Sequence, residues 1–222
     1  MKLDNFPKHI QPYLIPKPSG EVIYRCLECK AEHDISRLLY TCPACQSVLL
    51  LVDLDFDRLK EVGPETWHQI FDYRKMLNIP ALKGIYRYHE LIGPMMPLNA
   101  VIYLGEGHSS MVEGNAYLQD RVGARFYFKN EGQNPSASFK DRGMASALSY
   151  INLMVKTGKL ADVLAVCAST GDTSASAALY ASYLQPGVKS AVLRPHKKVT
   201  SQQLAQPLGS GAAVFEIPGV FD

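Results

Sequence analysis

Two sets of residues in this 222-residue chain have types and spacing that can do chemistry. The first centres on Lys140, in the run Glu131-Gly132-Gln133-Asn134-Pro135-Ser136-Ala137-Ser138-Phe139-Lys140-Asp141-Arg142. After it, Met144, Ala147, Leu148, Ile151 and Val155 recur at helical spacing. Lys140, four residues before Met144, phases onto that apolar face in the first turn. A lysine beside a core loses hydration, which favours its neutral amine. A positioned neutral amine is a nucleophile toward carbonyl compounds. The competing use is a lysine that lays its stem on apolar surface and keeps its ammonium in water. The residues alone leave both open.

The second set is Cys26-Leu27-Glu28-Cys29 and Cys42-Pro43-Ala44-Cys45, a C-x2-C-x12-C-x2-C pattern. Two close pairs on turns can bring four thiolates to a tetrahedron around zinc. The flanks Val22-Ile23-Tyr24, Leu38-Leu39-Tyr40 and Val48 to Val52 read as short strands, so the expectation is a zinc ribbon with a structural ion. A redox pair would sit at a strand-to-helix turn, which neither motif does. Disulfides are disfavoured in a reducing compartment. Cys167, inside an apolar strand, reads as a small buried residue.

A further loop, Ser169-Thr170-Gly171-Asp172-Thr173-Ser174, joins an apolar strand to an alanine-rich helix. Hydroxyls and backbone N–H groups at a helix N-terminus suit an anion. Plain capping by Asp172 or Thr173 would explain the same residues.

The elements that must position these residues follow from periodicity. Residues 1–20, with four prolines, read as an extended arm; 21–52 as the four-cysteine ribbon; 53–99 as mainly helical; and 100–222 as an α/β domain. Trp67, the only tryptophan, reads as core. Strands are expected at 126–129, 163–167, 190–193 and 213–217, and helices near 138–156, 173–183 and 200–208. Apolar strands alternating with helices predict a parallel sheet covered on both faces, with ligands beyond the carboxyl ends of the strands. Both loops follow such strands. A net charge of +2 gives no push toward nucleic acid, and Arg194, His196, Lys197 and Lys198 read as a solvated basic loop. No apolar run is long enough for a signal peptide or a membrane span, so a cytoplasmic protein is expected.

The string Asn134 to Arg142 resembles the cofactor-lysine motif of threonine synthases, within the fold-type-II pyridoxal 5'-phosphate (PLP) enzymes. Leu104-Gly105-Glu106-Gly107, Ala168 to Ser176, Gln203-Leu204-Ala205-Gln206-Pro207 and Gly219-Val220-Phe221-Asp222 resemble the same family in the same order, and four-cysteine N-terminal segments also occur in it. The resemblance implies an α/β fold-type-II domain. It implies that Lys140 holds PLP, that Asp172 meets the cofactor's 3-oxygen, and that Ser169, Thr170 and Thr173 meet the substrate carboxylate. The zinc ligands would be Cys26, Cys29, Cys42 and Cys45. The implied reaction converts O-phospho-L-homoserine and water to L-threonine and phosphate, with a small-molecule substrate, a homodimer, and neither nucleic acid nor membrane as partner. Many relatives carry asparagine at the position of Asp172, and an ionised carboxylate can only accept hydrogen bonds. Relatives read Gly-Asn-Thr-Pro where this chain has Gly107-His108-Ser109-Ser110. The family's glycine-rich phosphate loop is not found after Ser169, so an N-terminal portion of a longer fold is expected, its C-terminal part missing. Two alternatives stay open: a relative such as a cysteate synthase or threonine dehydratase, and a non-catalytic interaction module.

Overall fold

The computed structural model describes residues 2–169, 171–196 and 200–218. Thr170, Lys197, Lys198 and the motif 219–222 lie outside the described residues. The chain divides into two compact units, Met1–Leu82 with Tyr86–Asn99, and Lys83–Ile85 with Ala100–Asp222.

The first unit opens with α1 (Gln11–Leu14), followed by β1 (Val22–Cys26), β2 (Glu32–Asp34) and β3 (Leu49–Asp53). These strands form an antiparallel sheet of order β2-β1-β3, with Tyr24 opposite both His33 and Leu51. The strand expected at 38–40 does not form, and Tyr40 is exposed. Instead the chain pairs at β2, which ends where Asp34 Oδ1 accepts the Ser36 N–H at 2.6 Å, a local turn that competes with the ladder.

Residues 1–20 are not an extended arm. Phe6, Ile10 and Leu14 are buried with Ile70, Leu77 and Leu82, and Trp67 and Phe71 pack against them. The clamp is Arg74, fully buried on α2 (Pro64–Arg74). Its guanidinium donates to Leu14 O, Tyr13 O, Arg87 O and both oxygens of Glu90, so every donor of the fork is used. Beyond α2 the region to 99 holds short 3-10 turns and α3 (His89–Ile92), because Pro80, Pro94 and Pro97 interrupt longer helices.

In the second unit, β4 (Met111–Glu113), α4 (Ala116–Val122) and β5 (Tyr127–Lys129) form a small hairpin-like layer. Gly123, with φ +73°, ends α4 in the left-handed conformation that glycine adopts without strain. Strand β5 pairs antiparallel with β4, Val112 opposite Phe128, and so is not part of the parallel sheet expected of it. The Arg125–Glu113 ion pair and the Gly114 N–H to Phe126 carbonyl bond close that pairing locally.

The remaining elements are α5 (Lys140–Lys156), β6 (Val163–Ala168), α6 (Asp172–Ser182), β7 (Val188–Pro195), α7 (Ser201–Gly209) and β8 (Ala213–Ile217). The strands form a parallel sheet of order β6-β7-β8. Ala145 and Leu148 of α5 bury against Tyr180, Ala181 and Val188, and Ala178 buries against Val192. Among the described residues the helices cover one face; on the other, Leu164 and Val166 are 57% and 55% exposed.

Strand alternation corrects the reading of Arg194. It shares the helix-facing side of β7 with Val188 and Val192 and is buried, not solvated, while His196 beyond the strand bonds Glu216.

Candidate functional site

The Lys140 turn is built by hydrogen bonds between short polar side chains. Asn134 Oδ1 accepts the Gly107 N–H at 3.0 Å, while Nδ2 donates to the Glu131 carbonyl and carboxylate at 2.7 and 3.0 Å. Gln133 Oε1 accepts the Ser110 N–H at 2.7 Å. The loop 104–110 is thereby fixed along the lysine motif. Ala137 takes a left-handed φ of +61°, which turns the chain back toward the helix.

Lys140 is the first residue of α5 and lies at the edge of the face expected of it, where Met144, Leu148, Ile151 and Val155 pack in the core. The buried residues of α5 are Asp141, Ala145, Leu148, Ser149 and Met154. Ala147 is exposed, Lys140 is half-buried, and its Nζ lies 4.6 Å from the centroid of the Phe139 ring. The buried stripe starts one residue later, because a carboxylate takes its first place.

Asp141 is fully buried. Its Oδ2 accepts the Ser136 N–H at 2.7 Å; its Oδ1 accepts the Ser136 hydroxyl at 2.6 Å and the Ser176 hydroxyl at 2.5 Å. Such bonds to a charged acceptor contribute about 1.5–3 kcal/mol each, which offsets the cost of burying the carboxylate. Sequence reasoning passed over Asp141, Ser136 and Ser176. The available signal was the series Asp141, Ala145, Leu148, Ser149, which marks one helix face.

Ser176 belongs to α6, so the lysine turn is joined to the helix that follows the second loop. There, Gly171 is the N-cap residue and supplies no side-chain cap. Ser169 Oγ accepts the Gly171 N–H at 3.2 Å, and the Ser174 hydroxyl donates to the Gly171 carbonyl at 2.7 Å. Capping by Asp172 or Thr173 is therefore not what shapes this loop. Asp172 is exposed as the first residue of α6; Thr173 and Ser169 are half-buried.

A second buried carboxyl lies beneath the first loop. Glu106 accepts the Tyr180 hydroxyl at 2.8 Å and the Leu104 N–H at 3.1 Å. Burial pushes its carboxyl above the usual range against those bonds, and the neighbouring Asp141 charge pushes the same way. Any Cβ on Gly84 would overlap the Glu106 carboxylate and crowd the Tyr103 ring, so only glycine fits there.

In the first unit the four cysteine sulfurs lie within 4.8 Å of one another. Cys26 and Cys45 are 3.4 Å apart and Cys29 and Cys42 3.6 Å, close to the ~3.8 Å edge of a tetrahedron with zinc–sulfur bonds of about 2.3 Å. Burial pushes the Cys26 thiol up, but the Cys29 and Glu28 N–H groups and the Cys45 and Cys29 thiols outweigh it and bring it to about 6. Against the Ala31 N–H, the neighbouring thiols and burial push Cys29 up to about 12, so one thiolate is favoured in the cluster at Cys26 and a bound metal would have to displace protons from the other sulfurs. Four sulfurs at these distances fit a closed structural site with no open position.

The model of the pyridoxal-phosphate dependent enzyme family matches residues 104–222. A threonine synthase of Methanocaldococcus jannaschii is 33% identical over 202 residues, covering 90% of this chain and 44% of that protein. Threonine synthase 2, chloroplastic, of Arabidopsis thaliana is 30% identical over 229 residues, covering 100% of this chain and 40% of its own. The chain thus spans less than half the length of these curated relatives. A solved hydrogen sulfide-producing enzyme from Fusobacterium nucleatum superposes with a TM-score of 0.42 at 25% identity, over 51% of this chain and 36% of that one. With the family match covering more than half of its length, the chain belongs to the pyridoxal-phosphate dependent enzymes.

Proposed function

We propose that the chain carries the lysine side of a threonine-synthase-type lyase site, acting on O-phospho-L-homoserine and water to release L-threonine and phosphate. The observation that supports this most is the Asp141 carboxylate, which joins the Lys140 turn to the first turns of α6. The backbone that carries the amine and the helix whose N-terminus and hydroxyls would meet an anion are thereby linked, which is the pairing a carbonyl cofactor and an anionic amino acid would need.

PLP, when bound, supplies the electron sink for chemistry at the substrate's Cα, Cβ and Cγ. Lys140 would bind it through Nζ and, once displaced by the substrate amine, would carry protons between those carbons. Ser169 and Thr173 would donate hydroxyls to the substrate carboxylate, with Thr170 in the same role by its place in the motif. Asp172, which when ionised can only accept, would meet the cofactor's 3-oxygen if the proton stayed on the cofactor's oxygen or imine. Cys26, Cys29, Cys42 and Cys45 would hold a structural zinc apart from the chemistry.

The test is to mix the purified chain with PLP, reduce with borohydride and map the added mass. The expected adduct is on Lys140 and absent from Lys140→Ala. Labelling of Lys140→Ala equal to the unsubstituted chain would sink the assignment. Phosphate release from O-phospho-L-homoserine, against keto-acid formation from threonine, separates the synthase reading from a dehydratase.

A further inference from the structure

We infer that Asp141 is a positioning residue: it makes the Lys140 turn and the start of α6 one rigid body, so that the lysine amine keeps a fixed place relative to the second loop. The inference rests on the reading of Lys140 as the cofactor lysine. Asp141 itself touches neither cofactor nor substrate in this role.

Lys140 and Asp141 are neighbours at the start of α5, so whatever fixes one fixes the backbone of the other. The Asp141 carboxylate closes a five-residue loop onto Ser136 through two bonds and spans 35 residues to Ser176 through a third. Ser176 lies one turn into α6, four residues after Asp172. Ser136, Asp141 and Ser176 are all buried, so water cannot stand in for a lost partner. A second tie acts on the same loop from the other side, where Gln206 Nε2 of α7 donates to the Ser136 carbonyl at 3.3 Å. The donors to this carboxylate among the described residues are one N–H and two hydroxyls, all uncharged, and both hydroxyls can turn to accept as well as donate.

That last property makes the test specific. In Asp141→Asn the amide oxygen can accept the Ser136 N–H while the amide N–H groups donate to the two hydroxyls. The tie survives with its charge removed. Asp141→Ala removes all three bonds, and Ser176→Ala removes only the bond to α6. Apparent PLP affinity, followed by cofactor absorbance and by borohydride labelling of Lys140, should fall about tenfold in Ser176→Ala. It should fall further in Asp141→Ala and stay within about threefold of the unsubstituted chain in Asp141→Asn.

Amide hydrogen exchange supplies a readout independent of PLP. Ser176→Ala should speed exchange in 136–142 as well as in 172–176, since the two segments are held through one carboxylate. Unchanged PLP labelling in Ser176→Ala would overturn the positioning role, and so would an Asp141→Asn defect as deep as that of Asp141→Ala. If the unsubstituted chain takes up no PLP at Lys140, the proposed function fails instead. Exchange then decides the tie alone: acceleration confined to 172–176 refutes it. Should Asp141→Ala not fold, Ser176→Ala carries both readouts.

Discussion

The cysteine cluster and the lysine turn are both short loops that hold reactive side chains, and they are fixed by different means. Around the cysteines, Val48, Leu50, Leu51 and Tyr40 are exposed, and of the segment's apolar residues only Cys26 and Cys42 are buried. A three-stranded sheet with so little buried surface contributes little toward ordering its chain. Around Lys140 the order comes from a buried carboxylate with three donors and from an asparagine bonded to two loops. One region therefore has little apolar burial of its own, while the other carries its own fastening. Where apolar burial is small, a metal held by the four sulfurs would supply ordering energy; where it is larger, a few charge-assisted hydrogen bonds suffice to set geometry.

Removing metal should break this comparison most visibly. Structural zinc contributes on the order of 10–16 kcal/mol to sites of this kind near neutral pH. A strong chelator is expected to abolish amide protection across β1, β2 and β3 while α5 and α6 keep theirs. Added zinc should restore it. Acidification should act like the chelator, because the cysteine thiols must lose their protons to bind zinc and lower pH returns them. Protection of β1 unchanged by chelation would show that the ribbon stands without an ion.

How much of this was legible in the residues differs between the two regions for the same physical reason. Helices α5, α6 and α7 and the strands β6 and β8 fall within two residues of the bounds that periodicity predicts, since burying one face against a sheet is a local pattern, whereas α4 is not among the expected helices. The spacing of the four cysteines likewise announces their cluster. What escaped is long-range and polar. The Asp141–Ser176 bond spans 35 residues, the Arg74 clamp on Tyr13 and Leu14 about 60, and no local pattern encodes either. The strand expected at 38–40 failed because β-propensity gave way to the Asp34 turn just upstream. Lys140 was found at its helix start and on the edge of the apolar stripe, but the fully buried place in that turn belongs to Asp141, which no apolar pattern marks.

Glu106 sharpens the comparison at the next level of effect. Its carboxyl titrates near 4.3 in an unfolded chain and is held higher in the folded one by burial. Between those two values the folded state keeps a proton that the unfolded state has lost, so stability falls as pH rises through that window. Glu106→Gln should keep an acceptor for Tyr180 and remove this slope. The expected result is a melting midpoint nearly flat with pH above about 4.3, measured against an unsubstituted chain that loses stability. An identical pH profile in both would place the titration elsewhere.

The smallest effects come from one surface ion pair in each region. Arg25 Nη2 meets Glu32 Oε1 at 2.7 Å across β1 and β2, and Arg142 Nη1 meets Glu131 Oε2 at 2.7 Å beside the lysine turn. The first pair is well exposed, and solvent screening leaves it worth no more than ~0.5 kcal/mol. The second is roughly two-thirds buried, and its Glu131 oxygen also accepts Asn134 Nδ2 at 3.0 Å. The Arg142 hydrogen bond holds the Glu131 carboxyl below its usual range, with Asn134 helping against partial burial. Stability from that depressed value is present above the unfolded value of about 4.3 and lost as pH falls through the folded one. Arg142→Gln should therefore cost about 1 kcal/mol near neutral pH after discounting for solvent, and less in acid. Arg25→Gln should stay within ~0.5 kcal/mol at any pH. Equal costs for the two, measured by denaturant midpoints on the metal-loaded chain, would mean that the lysine turn draws no more on its polar contacts than the ribbon does.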